Sequence, residues 1–156
     1  MRSMFRLIIL CLLALMACGK SRAPKSSVHE VNGSGAERVA TISAIIAKHK
    51  APPSIIRDAQ FVEEQTGDGV LGPSDFRAFC LVEVAPQDVS RWTQMLSPLE
   101  MTAEYAAPVK PRDWWIARDA FAALQFYKTN ILTGRIHGWI GVSKQTGRIY
   151  IFTFTM

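Results

Sequence analysis

The feature that most constrains this chain is an apolar run near its start, residues 7–16, which is ten residues long. A helix that spans a membrane needs about 20 apolar residues, so the run is too short for a transmembrane helix. Arg2 and Arg6 precede it, and a positive segment followed by a short apolar one is typical of a secretion signal. The part of the chain that folds is therefore expected to lie outside the cytoplasm.

The apolar run ends at residues 15–18 (LMAC), which resemble the lipobox of bacterial lipoproteins. That pattern has an aliphatic residue three positions before an invariant cysteine and a small residue directly before it. The resemblance implies that residues 1–17 are a cleaved signal peptide and that Cys18 becomes acylated. Several acyl chains, at about 0.8 kcal/mol per buried CH₂, make anchoring effectively permanent. Gly19 stands where an aspartate favours inner-membrane retention, so the expected location is the outer membrane, facing the periplasm.

The charge distribution argues against nucleic acid as a partner. The sequence has 18 basic and 13 acidic residues, a formal net charge of +5. Five basic residues lie in the signal or beside Cys18, which leaves 13 basic residues to balance the 13 acidic ones. A neutral domain lacks the excess of cationic groups on which nucleic-acid binding depends. The basic residues beside Cys18 suit an anionic membrane surface instead. The five are Arg2, Arg6, Lys20, Arg22 and Lys25.

The chain is expected to form one domain behind a tether. Residues 18–33 are polar and include glycine, proline and serine, which predicts a flexible linker, and residues 34–156 form the domain. With Cys11 in the signal and Cys18 acylated, Cys80 is the remaining cysteine. An intramolecular disulfide is then excluded, and the fold must depend on its apolar core.

Hydrophobic periodicity predicts an α+β fold, with a small, mostly antiparallel sheet, about three helices and a C-terminal β-hairpin. Ser34 and Glu37 have the spacing of a capping box, which begins the first helix. The last strand is apolar on both faces and is expected to be central or covered. The elements expected after the first helix are strands in 59–65 and 76–84, a helix from 86, a short strand at 114–116, a helix over 119–129, and a hairpin of 138–143 with 148–155.

The sequence indicates no cofactor and no metal. The three histidines lie far apart, and no HExxH or CxxC motif is present. Asp68 and Asp75 share a glycine-rich loop, but their spacing is not that of an EF-hand. Cys80 is expected to be buried and unreactive because its strand face is apolar. A pair between Cys80 and His137 is left open.

Paired carboxylates make an enzyme the alternative interpretation. Two carboxylates can hydrolyse a glycosidic bond, which would suit an envelope protein that faces peptidoglycan. Two of the candidates are neighbours in an expected strand and would face opposite ways. Solvated surface charge is the simpler interpretation, and no catalytic residue is assigned. The candidate acids are Glu63, Glu64, Asp75, Glu100 and Glu104.

Apolar residues on irregular segments favour a protein partner. Val70 and Leu71 lie in a loop and have no periodic reason to be core. Trp114 and Trp115 are adjacent in an extended segment, so one is expected in the core and the other partly exposed, and exposed tryptophan is a common interface anchor. Loops on a rigid scaffold often contain binding residues. These four residues are the predicted partner-binding site.

The sequence therefore predicts a non-enzymatic envelope lipoprotein that is held to the membrane through Cys18 and binds a protein. An immunity protein or inhibitor of a secreted toxin is the sharpest version, and it rests on analogy of size and location. One alternative is an envelope enzyme that acts on peptidoglycan through Glu63, Glu64 or Asp75. Another is a structural lipoprotein of a secretion or envelope machine.

Overall fold

The computed structural model describes residues 26–67 and 74–155, and within them the chain forms an α+β fold on a six-stranded sheet. All neighbouring strands are antiparallel, so the predicted fold class is confirmed. The strands are β1 (Ser26–Glu30), β2 (Ile56–Thr66), β3 (Asp75–Val84), β4 (Gln125–Tyr127), β5 (Gly138–Ser143) and β6 (Arg148–Phe154). Their order across the sheet is β1-β2-β3-β6-β5-β4.

The C-terminal hairpin of β5 and β6 forms as predicted. Its turn contains Gly147 at φ +71°, a conformation that glycine adopts without strain. A Cβ at this position would also collide with the carbonyl oxygen of Val84. Strand β6 lies between β3 and β5, which confirms that a strand apolar on both faces occupies the centre of the sheet.

Three helices lie in the described part of the chain, namely α1 (Gly35–Ala47), α2 (Val89–Gln94) and α3 (Asn130–Thr133). The capping box of α1 is confirmed. The Ser34 hydroxyl accepts from the Glu37 N–H, and the Glu37 carboxylate accepts from the Ser34 N–H at 2.7 Å. None of the helices in the described ranges is both long and apolar enough to cross a membrane.

The two faces of the sheet are covered differently. The three helices cover one face, here called the helical face, where Ile42, Trp92 and Leu132 pack with residues of the central strands. Residues 99–124, here called the cover segment, contain no α-helix or β-strand and lie over the other face. That second side is called the aromatic face, because most of its largest buried side chains are aromatic: Phe79, Trp115, Phe121, Trp139, Tyr150 and Phe152.

The predicted tether, residues 18–33, is partly structured, and its predicted end at residue 33 is therefore wrong. Residues 26–30 of the expected linker form the edge strand β1, which pairs with β2 from Ser26 opposite Thr66 to Glu30 opposite Val62. The segment has little apolar character, and it is held by its strand partner and by side-chain contacts such as the hydrogen bond from Ser27 to Gln65, 3.0 Å. Residues 26–30 therefore belong to the folded domain, which does not begin at residue 34.

Two elements predicted between residues 114 and 129 are wrong. Residues 114–116 form a turn and the start of a loop rather than a strand. The predicted helix over 119–129 is a 3₁₀ turn, Phe121–Ala123, followed by β4. Pairing with β5 places Phe126 against Phe121 and Trp139, and this burial outweighs the helical spacing of the apolar residues.

Candidate functional sites

Three aromatic side chains donate hydrogen bonds to backbone carbonyls of the cover segment, two of them from within the segment and one from strand β5 of the aromatic face. The indole N–H of Trp115 donates to the carbonyl of Ala106 at 2.8 Å. The indole N–H of Trp139 donates to the carbonyl of Glu104 at 2.8 Å, and the Tyr105 hydroxyl donates to Ile116 at 3.0 Å. Buried indole and phenol groups need such partners. These bonds give an irregular segment a defined position without a ladder of backbone hydrogen bonds.

Charged groups fix the same segment at the β1 side of the sheet. The guanidinium of Arg112 binds the carboxylate of Glu30 through two hydrogen bonds of 3.0 Å each. The buried carboxylate of Glu64 accepts a hydrogen bond from the Val109 N–H at 2.7 Å. Glu64, a candidate acid from the sequence, is thus occupied in holding the cover segment.

An open groove of about 600 Å³ lies where residues 99–106 pass the ends of β3, β5 and β6. Its floor is aromatic, since Phe152 and Phe154 stack with ring centroids 5.5 Å apart and Trp139 lies 5.7 Å from Phe152. Met101 and Ile136 line the groove and are 78% and 77% exposed. A concave, apolar surface with exposed large side chains is characteristic of a binding site.

Three charged side chains line this groove. Arg77 lies over the ring of Phe152 at 5.8 Å and donates to the carbonyl of Ala107 at 3.3 Å, so its guanidinium is held in place. Asp75 and Glu104 also line the groove and are exposed to solvent. The groove therefore combines an aromatic floor with two carboxylates and one guanidinium.

The predicted partner-binding residues divide into three cases. Trp115 is 7% exposed and packs edge-to-face on Phe79, with centroids 5.2 Å apart. It belongs to the core, so its proposed role as a contact for a partner is wrong. Trp114 is half-buried and edge-to-face with Trp115, so the expectation that one of the two is partly exposed is confirmed. Val70 and Leu71 lie outside the described residues, as does Cys18.

The other candidate acids form ion pairs. Glu63 lies on the helical face and binds Arg135 at 3.2 Å. Glu100 binds Lys128 at 2.8 Å, and the hydrogen bond and positive charge of that ammonium lower the pKa of Glu100. Of the five acids considered, the structure brings Asp75 and Glu104 to one groove, and it places Glu63 and Glu64 on opposite faces as predicted.

Cys80 is buried, as predicted, on the helical face, and burial raises the pKa of its thiol to about 12. His137 lines the groove on the aromatic face, where its ring lies 5.5 Å from that of Phe154. Because the sheet separates them, these two residues do not form a nucleophile and base. Within the described ranges, no three His, Cys, Asp or Glu side chains are grouped to hold a metal ion.

The sequence interpretation did not identify the groove, although β6 contains a signal for it. Tyr150, Phe152 and Phe154 alternate along this strand and form an aromatic stripe on one face. Such a stripe predicts an aromatic surface. The sequence does not show that residues 99–106 pass beside its end, which leaves part of the stripe uncovered.

Comparisons with protein-family models, with curated proteins and with solved structures gave no match.

Proposed function

We propose that this chain is a lipid-anchored protein of the bacterial envelope, located in the outer membrane and facing the periplasm, that binds a protein partner through the groove. The LMAC segment at residues 15–18 supports the anchor. The aromatic floor beside exposed Met101 and Ile136 supports the binding role and is the main observation behind it. An immunity protein or another inhibitor of a secreted toxin is the sharpest version of this proposal.

The chemistry of the groove defines the partner's complementary surface. An apolar side chain that enters the groove could contact exposed Met101 and Ile136 and the aromatic floor. Anchors of this kind supply most of the energy of an interface. Arg77 and the two carboxylates would then orient the partner through hydrogen bonds at the rim.

The test is chemical crosslinking in cells that express the chain, with a matched pair of variants. Met101→Ser with Ile136→Ser removes two exposed apolar residues inside the groove. Ile55→Ser with Val109→Ser removes two that are 82% exposed and lie outside it. The first variant should lose the crosslinked partner, with affinity about 30-fold weaker, while the second keeps it. Equal retention in both variants would contradict the role of the groove.

The anchor is tested separately. Replacing Cys18 by Ser should leave the chain unacylated, at the mass of the uncleaved precursor. Mass spectrometry of fractionated envelopes measures both properties. A variant that matures to the wild-type mass and stays in the membrane as an acylated protein would contradict the lipoprotein proposal.

An enzyme that acts on peptidoglycan is the second candidate, because Asp75 and Glu104 line one groove whose aromatic floor could stack on sugar rings. Both carboxylates are exposed, whereas the acid of a glycosidase is commonly held in an apolar environment, which makes this the weaker proposal. Release of muropeptides from purified peptidoglycan, measured by mass spectrometry, should disappear in Asp75→Asn with Glu104→Gln and persist in the exposed control Asp113→Asn. Absence of any release by the wild-type chain would remove this candidate.

A further inference from the structure

A second cavity, of about 390 Å³, lies on the helical face, on the opposite side of the sheet from the groove. Its inner wall is apolar and is built from α1, α3 and the central strands. The residues that form it are buried or half-buried, and they present no charged group at depth. The inner wall consists of Ile42, Ile46, Phe61, Ala78, Cys80, Leu132 and Ile151.

Among the residues that the structure describes, the mouth of this cavity contains one unpaired positive charge, that of Lys48. Lys48 and His49, at the end of α1, lie at the mouth together with His29 of β1 and Arg135 after α3. The acid that lines the cavity is Glu63, and its charge is already matched by Arg135 at 3.2 Å. Lys48 forms no ion pair within the described residues. An apolar interior beneath an unmatched positive charge is complementary to an amphiphile with an anionic head.

Polar ligands fit the interior poorly. The polar side chains along the wall are the Thr133 and Thr153 hydroxyls and the Cys80 thiol. The Thr153 hydroxyl already accepts a hydrogen bond from Arg135 at 3.2 Å, and the Thr133 hydroxyl donates to Thr129 at 3.0 Å. A sugar or nucleotide would therefore lose hydrogen bonds to water without gaining enough hydrogen bonds to the protein, and burying polar groups in this way is unfavourable.

We propose that this cavity binds a single-chain fatty acid, with the alkyl tail against the apolar wall and the carboxylate beside Lys48. The volume lies within the range of about 300–1,000 Å³ that is usual for small-molecule sites. The site is separate from the groove and does not depend on the partner proposed for it. Each further methylene should tighten binding about fourfold until the chain fills the cavity.

The first experiment is calorimetry of the purified full-length chain with octanoate, decanoate and dodecanoate. Affinity should rise along the series at a stoichiometry of one. Lys48→Glu should weaken decanoate about fivefold and leave decanol unchanged, because the alcohol has no charge. Lys144→Glu makes the same charge change in the exposed β5–β6 turn and should leave both affinities at the wild-type value. Equal weakening by the two variants, or no dependence on chain length, would overturn the proposal.

The second experiment tests the location. Ala78→Leu fills space at the wall, and it should weaken decanoate and decanol alike, by about tenfold, with the folded state of the variant checked by its Tm. Ile136→Ser, on the rim of the groove, should change neither affinity. The buried Cys80 should be labelled only slowly by a small thiol reagent, and decanoate should slow this labelling further, as followed by peptide mass spectrometry over hours. Binding that survives Ala78→Leu but is lost in Ile136→Ser would place the ligand in the groove and refute this site.

Discussion

Arg112 of the cover segment and Glu30 of the edge strand β1, 82 residues apart in the sequence, form a bidentate ion pair. Each of its two nitrogen–oxygen distances is 3.0 Å. Both side chains are largely shielded from water. The pair therefore links the irregular layer on the aromatic face to the first strand of the sheet. Two parallel charge-assisted hydrogen bonds are stronger than an exposed ion pair.

Removing this pair should destabilise the chain. Arg112→Ala leaves the carboxylate of Glu30 partly buried without its partner, and we expect a loss of about 2 kcal/mol in the free energy of unfolding by urea. Lys128→Ala removes the exposed pair with Glu100 and should cost less than about 1 kcal/mol. Equal losses in the two variants would show that Arg112 does not fix the cover segment.

Two truncations test the role of β1. A chain that begins at Ser26 keeps the strand, whereas one that begins at Ser34 loses it together with Glu30. The shorter chain exposes the edge of β2 and should be less stable than Arg112→Ala, with a greater tendency to aggregate. Urea unfolding and light scattering measure both effects. Identical stability of the two truncated chains would show that β1 does not stabilise the fold and would support the sequence-based prediction that residues 18–33 are a tether.

The adjacent tryptophans should respond differently to truncation. Trp115→Ala empties a buried site among Phe79, Trp139 and Tyr150, and it should cost about 3–5 kcal/mol of stability. Trp114→Ala removes a half-buried ring and should cost about 1–2 kcal/mol. Thermal unfolding of both variants measures the difference. A larger loss in Trp114→Ala would reverse the assignment of core and surface.

Cys80 should make the stability of the chain fall in alkaline solution. The pKa of its thiol is about 12 in the folded chain, against an ordinary value of 9.0. Between these values the unfolded chain loses the proton that the folded chain keeps. The free energy of unfolding therefore falls as pH rises, by up to about 1.4 kcal/mol per pH unit from this thiol. Well below pH 9 the thiol is protonated in both states and has no effect on the pH dependence.

The control for this prediction is Cys80→Ala, which removes the thiol and leaves other alkaline titrations in place. Urea unfolding at several pH values above 9 should show a shallower decline for the variant than for the wild type. Rapid labelling of Cys80 by a thiol reagent in the native chain would contradict its burial.

The elements that were predicted correctly are those determined by residues close together in the sequence. The capping box at Ser34 begins α1, and Gly147 closes the C-terminal hairpin. The strand around Cys80 was also predicted correctly, because its apolar alternation extends over many residues. In each of these cases the deciding residues are near neighbours in the sequence.

The remainder depends on contacts between distant residues. Strand β1 is polar, and it forms because it pairs with β2. Strand β4 has a helical pattern in its own sequence, and it forms a strand because it pairs with β5. The groove requires Met101 beside Phe154, which are more than 50 residues apart. The alternation in β6 predicts the aromatic floor, but no local pattern shows that residues 99–106 pass beside it, so the groove itself could not be predicted from the sequence.

The central position of β6 has a consequence for the order of synthesis. β6 bonds β3 on one side and β5 on the other, yet among the described strands it leaves the ribosome last. Until then β1–β3 and β4–β5 are separate pieces with exposed apolar edges, and their joining needs contacts between distant residues, which form slowly. A ribosome-bound chain stalled after residue 147 should therefore be digested by protease, unlike one released after β6. Under the proposal that the chain is secreted, this delay would keep it unfolded until it is exported.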